Sequence, residues 1–571
     1  MKTKYFSLIV LGLIALCLVY LVKFTFKKKE SEEKTESHLA VYSEKQFAIV
    51  IASYNNERYC LKNIHSVLEQ TYPNYRVIYI DDHSTDTTYE KVKNLIDSSG
   101  KIEHFTLIEN EERLGALANI YKAVHLCKDD EIVVILDGDD FLAHEGVLAY
   151  LNEVYQDPDV WVTYGNYLDY PCYSSKASFC KKIPKKVKET KSYRKFEWVT
   201  SHLKTFYASL FKQVRIEDLV YKGKFFSMAQ DLSWMFPLLE MAGDHVHFIK
   251  KILYLYNRQN PISDHQVDFN FQQECGNEIR SRSKYPTLAT LPHLSSVEKL
   301  PKEADLIIFS YNRPMQLYAL LESSSLHITG LNKVFVLYRA SSQEFVDAYD
   351  EVKKAFPKVH FVAQSSHAQE DFQPLLSKIL LEGSSPYVIF SVDDIIVRKD
   401  IDLTNCVDAL EKTKAWGFFL GQGKNLKRCY MLDCIQPVPP LISIQEDIFA
   451  WQFKEGIGDW NWPNSLDMVV YPKEVMQRDF AKLTFHHPND LENQWLKKAK
   501  LKRIGLTFSE SAIVNLPLNL VNISSNRYMN RYSPEQLLQK FQEGLKIDIA
   551  PLSEFAPISR HIDYEPCFIH K

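Results

Sequence analysis

Glu131-Ile132-Val133-Val134-Ile135-Leu136 reads as a short buried strand, and it ends abruptly in Asp137-Gly138-Asp139-Asp140. Carboxylates that leave an apolar strand together repel one another unless a cation lies between them. Two readings fit such a quartet: a hard-metal site, or a solvated acidic turn that caps the next helix. Carboxylate oxygens suit Mg²⁺ or Mn²⁺, ions that proteins hold with one or two carboxylates together with substrate phosphates. The metal reading therefore implies a diphosphate-bearing substrate.

Upstream, Phe47 to Ala52 and Tyr75 to Ile80 read as further buried strands, with a helix expected over Glu57 to Gln70 between them. Strands alternating with helices predict an α/β fold with a mainly parallel sheet, in which ligands sit outside the carboxyl ends of the strands. The pattern then restarts. Asp305 to Phe309 is followed by Ser310-Tyr311-Asn312-Arg313, echoing Ser53-Tyr54-Asn55-Asn56, and Tyr387 to Val392 runs into Asp393-Asp394. Two strand-and-acid echoes in the same order point to a duplicated unit. Pro286, Pro292 and Pro301 mark 285–303 as a linker. The expected domains are 46–284 and 304–530, with a tail over 531–571.

The second strand leads into Asp81-Asp82-His83-Ser84-Thr85-Asp86-Thr87, and Asn110-Glu111-Glu112-Arg113-Leu114-Gly115 follows. With Ser53-Tyr54-Asn55-Asn56-Glu57 and Asp137-Gly138-Asp139-Asp140, these four motifs in this order resemble the family-2 glycosyltransferases of GT-A fold over about residues 46 to 270. By that resemblance Tyr54, Glu57, Asp81, Asp82 and Arg113 line the nucleotide pocket. Asp137 and Asp139 hold a divalent cation, Mn²⁺ or Mg²⁺, and the donor is a nucleotide-diphosphate sugar. The resemblance also implies direct, inverting displacement. Asp231, just before an apolar helix, is the expected base for the acceptor hydroxyl; alone it also reads as a helix N-cap. His265 lies where some relatives return a further metal ligand. Trp198 to Phe206, with His202 and Lys204, is similar to the family's segment between metal and base, and is expected to shape the acceptor or donor side.

Residues 304 to about 525 resemble glycosyltransferase-like domains more loosely. There Arg313 and Arg339 are expected to meet phosphates, Asp393 and Asp394 a metal, and Asp467 to act as base. A solvated strand end remains the alternative, since Ile395 and Ile396 follow the acid pair. Trp451, Trp460 and Trp462 are dense enough to suggest sugar stacking, with core packing as the alternative.

The rest of the chain sets the surroundings. Its 571 residues are 46% hydrophobic and 25% charged, which excludes a disordered or wholly membrane-embedded protein. Lys plus Arg (68) nearly balances Asp plus Glu (72), so no nucleic-acid partner is expected. Tyr5 to Val22 carries no charge and is long enough to span a bilayer. It ends in Lys23 and Lys27-Lys28-Lys29 without a small-residue cleavage site, so 1–29 reads as an uncleaved single-pass anchor followed by a tether over 30–45. The lysines after the run place the soluble bulk on the cytoplasmic side. The combined expectation is an anchored, metal-dependent transferase with two tandem GT-A-like domains, acting on a glycan or lipid-linked acceptor. A bifunctional two-site glycan polymerase and a transferase with a non-catalytic glycan-binding second domain are the alternatives.

Overall fold

The computed structural model describes residues 43–174, 178–260, 268–294, 300–520, 528–529 and 531–571. The expected anchor over Tyr5 to Val22 and the expected ligand His265 lie outside the described residues. Among the described residues no helix is long and apolar enough to cross a membrane.

The first half is built on an eight-stranded sheet in the order Phe105–Glu109, Tyr75–Asp81, Phe47–Ser53, Ile132–Ile135, Ser201–Tyr207, Val162–Tyr170, Val246–Asn257, Phe141–Leu142. The first four strands are parallel; Ser201–Tyr207 then runs antiparallel to both of its neighbours, and Val246–Asn257 lies parallel to Val162–Tyr170. Covered on both faces, the central strands are continuously apolar: Phe47, Ala48, Ile49, Val50 and Ile51 are all buried. The helix after the first strand is Cys60–Leu68, shorter than the expected Glu57 to Gln70. Its start is delayed because the preceding turn is tied to the next loop, with the Asn56 amide on Thr88 Oγ1 (2.8 Å) and the Glu57 amide on Asp86 Oδ2 (3.2 Å).

The second half repeats the plan. Its nine-stranded sheet runs His360–Ala363, Leu331–Arg339, Ala304–Tyr311, Tyr387–Val392, Val469–Pro472, Gly417–Phe419, Ile504–Phe508, Ile448–Gln452, Ile442–Gln445. Four parallel strands again meet an antiparallel fifth, and Ile504–Phe508 lies parallel to Gly417–Phe419. A local device recurs at the same place in each half. Asn55 and Asn312, two residues beyond Ser53 and Ser310, adopt left-handed φ values of 51° and 53°. Asn tolerates that region better than most residues. The Asn55 side chain accepts from the Thr85 amide at 2.8 Å, and that of Asn312 from the Ser341 amide at 2.9 Å, so each locks the loop after the second strand.

The segments outside the two sheets are part of the packing. In the expected linker, the Tyr285 amide donates to Glu240 Oε2 (3.0 Å) and its hydroxyl to Asp218 (2.5 Å). The expected tail contains the helix Pro534–Gln542, opened by a Ser533/Gln536 capping box, and a hairpin pairing Leu545–Ile547 with Phe568–His570. Phe541 of that helix packs on Tyr318 with ring centres 5.9 Å apart. The halves touch through the Tyr121 hydroxyl on the Lys412 carbonyl (3.3 Å) and Lys502 on Glu278 (3.0 Å).

Behind the first sheet, Arg194 and Glu240 form a buried bidentate pair, Nε to Oε1 at 2.7 Å and Nη2 to Oε2 at 3.0 Å. Arg194 also reaches the Ile279 carbonyl at 2.7 Å, joining two helices. Removing one partner of such a pair strands the other charge away from water. Glu240→Ala should therefore lower stability by about 3–5 kcal/mol in urea unfolding; a loss below about 1 kcal/mol, the scale of an exposed pair, would contradict this role.

Candidate active site

The nucleotide-side residues expected from the sequence gather beyond the carboxyl ends of the first two strands. The Arg113 guanidinium lies 3.8 Å from the Tyr54 ring centre, a contact that presents a flat cationic surface. Asp81 is buried and accepts from the Ser84 amide and hydroxyl, both at 2.7 Å. Burial raises its pKa, and those two bonds oppose the rise. Asp82 has a different task. Its carboxylate takes the Leu114 and Gly115 amides, each at 2.8 Å, and Asn110 Nδ2 at 3.0 Å, so it holds the loop that carries Arg113. Gly115, at φ +91°, supplies the backbone turn that this grip requires. Glu57 is partly exposed and accepts from Thr87 Oγ1 at 2.8 Å, the bond that chiefly lowers its pKa, with Lys91 at 3.8 Å assisting.

The acidic quartet turns sharply at the end of its strand. A side chain at Gly138 would place its Cβ 2.6 Å from Ser53 Oγ, so only glycine fits there. Asp140 is buried and accepts from the Asn257 amide (2.6 Å) and the Tyr254 hydroxyl (2.7 Å). Burial, with Asp139 and Asp137 adding, pushes its pKa well up. Asp139 accepts from Asn260 Nδ2 at 2.7 Å, and burial raises its pKa as well. Ligand atoms of Asp137, Asp140 and His202 all lie within 4.8 Å of one another. The His202 ring stacks on Tyr254, 4.4 Å away and 9° from parallel. Burial drives its pKa well below the ordinary value, and Lys204 and Arg258 add to this. The imidazole is therefore neutral and able to ligate. Two oxygens and a neutral nitrogen fit a divalent Mn²⁺-like ion. Asp139 stands beside that trio without joining it, while Asp140 and His202 enter it. The available signal for His202 was its i, i+2 spacing to Lys204, which puts both side chains on one face of a strand.

Asp231 faces the same edge. The helix Gln230–Ala242 is capped by Ala229, at φ 51° and without a side-chain cap bond, so Asp231 is not the N-cap. Its Oδ2 instead meets Lys204 Nζ at 2.6 Å, and Lys204 is only 1% exposed. Burial alone would lower the Lys204 pKa; the Asp231 and Asp137 carboxylates outweigh it and raise the pKa. One buried ammonium thus links Asp231 to the strand end that carries Asp137.

In the second half the same strand ends are closed by arginines. Arg313 is buried, with Nη1 3.0 Å from Asp393 Oδ1 and 3.3 Å from Asp394 Oδ2. Its Nε bonds Asn519 Oδ1 at 3.0 Å, and its Nη2 bonds the Asn519 carbonyl. Arg313 therefore meets carboxylates where the sequence suggested phosphates. Arg339 lies over the Tyr311 ring at 5.1 Å, as Arg113 lies over Tyr54. Asp467, the expected second base, is paired with buried Arg560 from the C-terminal segment. Burial pushes Asp394 and Glu492 each up to about 7, with Asp467 adding to both. Trp451 and Trp460 are fully buried and belong to the core; Trp462, 41% exposed, directs its indole N–H to Glu492 Oε1 at 3.3 Å. Among the described residues, Asp137, Asp140 and His202 form the single cluster of three potential ligand side chains. A cavity of about 480 Å³ between the halves, lined in part by Lys212, Asp408 and Lys412, does not include these strand-end carboxylates.

A parallel four-stranded core with the acidic strand end and the helix of Asp231 at one edge is a GT-A-like layout. Residues 48–217, within the N-terminal half, match the sequence model of Glycosyl transferase family 2. An uncharacterized glycosyltransferase of Haemophilus influenzae is 30% identical over 154 residues, 27% of this chain and 55% of its own. The bifunctional glycosyltransferase pgtA of Dictyostelium discoideum is 28% identical over 185 residues, 29% of this chain and 23% of its own. Both relatives are thus matched over less than two thirds of their length. Among solved structures, S. aureus TarS 1-349 in complex with UDP-GlcNAc overlays 41% of this chain and 65% of its own, with 17% identity and a TM-score of 0.33.

Glu492 yields a pH prediction. Its folded pKa, about 7, lies above the ordinary 4.5, so its contribution to stability is complete below the lower value and lost as pH rises through the upper one. The melting temperature of the wild type should decline as pH rises from about 4.5 to about 7 and level off above that, and Glu492→Gln should flatten that decline in thermal scans at constant ionic strength. An unchanged slope would argue against the raised pKa.

Proposed function

We propose that the first half is a metal-dependent, inverting glycosyltransferase that moves a sugar from a nucleotide-diphosphate donor to a glycan or lipid-linked acceptor. One observation carries this reading: Asp137, Asp140 and His202 converge at a strand end one residue pair away from Asp231, through Lys204. Tyr54, Arg113 and Asp81 line the nucleotide side, and Asp82 keeps the Arg113 loop in place. Asp137, Asp140 and His202 would hold the cation, with Asp139 beside them for the donor. A divalent ion there offsets the negative charge that builds on a departing diphosphate. Asp231 takes the proton from the attacking acceptor hydroxyl. Lys204 holds that carboxylate in place through the 2.6 Å contact of its ammonium.

The second half is proposed as a tandem GT-A-like domain, on the strength of the repeated sheet order and the repeated Asn55/Asn312 lock. Exposed Trp462 beside Glu492 favours a glycan-facing role for that domain, an aromatic face with an adjacent carboxylate. The apolar run Tyr5 to Val22 and its trailing lysines support a single-pass anchor with the domains on the cytoplasmic side, close to a lipid-linked acceptor.

The base assignment is tested with Asp231→Asn. Nucleoside diphosphate release in the presence of acceptor should fall by about 10²-fold or more, while KM for the donor changes little. Turnover within about twofold of wild type would remove Asp231 from the role of base.

A further inference from the structure

The repeated sheets allow the two halves to be aligned by strand register. Ser53 and Ser310 each lie two residues before the left-handed Asn, so Val50 corresponds to Ile307. Val50 lies opposite Ile135, and Ile307 opposite Phe390. Counting on from those partners, Asp137 corresponds to Val392, Gly138 to Asp393, Asp139 to Asp394 and Asp140 to Ile395. On the antiparallel neighbour, Ile135 lies opposite Lys204 and Phe390 opposite Val469. Lys204 thus corresponds to Val469, and His202 to Asp467.

The substitutions form a consistent set. Two of the three groups that can hold a metal in the first half, Asp137 and Asp140, are replaced by aliphatic side chains. The third, His202, is replaced by Asp467, which is already paired with Arg560. Asn56, one residue beyond the left-handed Asn, corresponds to Arg313, whose guanidinium meets both remaining strand-end acids. Each nitrogen of that guanidinium has a protein partner, so the pair is closed from within. Asp393, standing where Gly138 does, uses its other oxygen on Ser310 Oγ at 2.8 Å. On the nucleotide side, Ser53 lies opposite Asp81 whereas Ser310 lies opposite Tyr338, whose hydroxyl accepts from Lys353 at 2.9 Å. The carboxylate of the first pocket is therefore absent from its counterpart, and the lysine that holds the base is replaced by Val469.

We infer that Arg313 occupies the place of the divalent cation in the second half, which is a metal-free site that does not take a metal–nucleoside diphosphate, leaving one metal centre per chain. This rests on the reading of the second half as a GT-A-like repeat. A fixed guanidinium bonds both buried acids from within the protein, whereas an exchangeable ion is available to a diphosphate.

The test is Mn²⁺ binding to the full chain, followed by electron paramagnetic resonance with the metal alone. One equivalent is expected, lost in Asp137→Asn and retained in Asp394→Asn; Asp467→Asn serves as a second probe of the same site if Asp394→Asn does not fold. Two equivalents in the wild type, or loss of an equivalent in either second-half variant, overturns the inference. Binding that is absent altogether upholds the metal-free second half and instead sinks the metal reading of the first, so the two failures are distinguishable.

Discussion

Everything at the working edge follows from one constraint: carboxylates buried at the end of a strand require a cation within reach, because desolvated like charges repel strongly. A parallel strand in the middle of an α/β sheet delivers its last residues to a shared edge. The chain meets the constraint twice, in different ways. In the first half ligand atoms of Asp137, Asp140 and His202 lie within 4.8 Å of one another, with Lys204 supplying a nearby positive charge. In the second half Arg313 meets the strand-end acids with a charge of the protein's own.

The surrounding packing makes that difference permanent. Arg313 is held by Asn519, which comes from a distant strand-end segment, and Asp467 is held by Arg560 from the last forty residues or so. The C-terminal segment is thereby tied to the second half both by its apolar helix face and by a buried ion pair. The first half uses aromatic packing instead: Tyr254 stacks on His202 while its hydroxyl holds Asp140, so one side chain orients two members of the trio.

Much of this is legible in the sequence. The strands Phe47–Ser53, Tyr75–Asp81 and Tyr387–Val392 fall where apolar runs place them, because central parallel strands must be hydrophobic on both faces. Tyr54, Asp81, Arg113 and Asp231 reach one edge because each follows a strand or opens a helix, and topology alone brings those points together. The partners were not legible. Nothing local to Asp393-Asp394 announces Arg313, eighty residues earlier, and nothing near Asp467 announces Arg560. His202 reads as one apolar-strand residue among several until its neighbour across the sheet is known. The role of Asp82 was likewise hidden: its adjacency to Asp81 suggests shared work, yet successive residues at a strand end face opposite ways, and Asp82 turns to the Gly115 loop.

We propose that the first half couples a metal-held diphosphate to sugar transfer. This coupling is tested most directly with a panel of nucleotide-diphosphate sugars, following released nucleoside diphosphate with Mn²⁺ and again with excess chelator. The account predicts release from at least one donor with Mn²⁺ and its loss on chelation, restored when the ion is added back. Donor turnover that persists unchanged in chelator would contradict it.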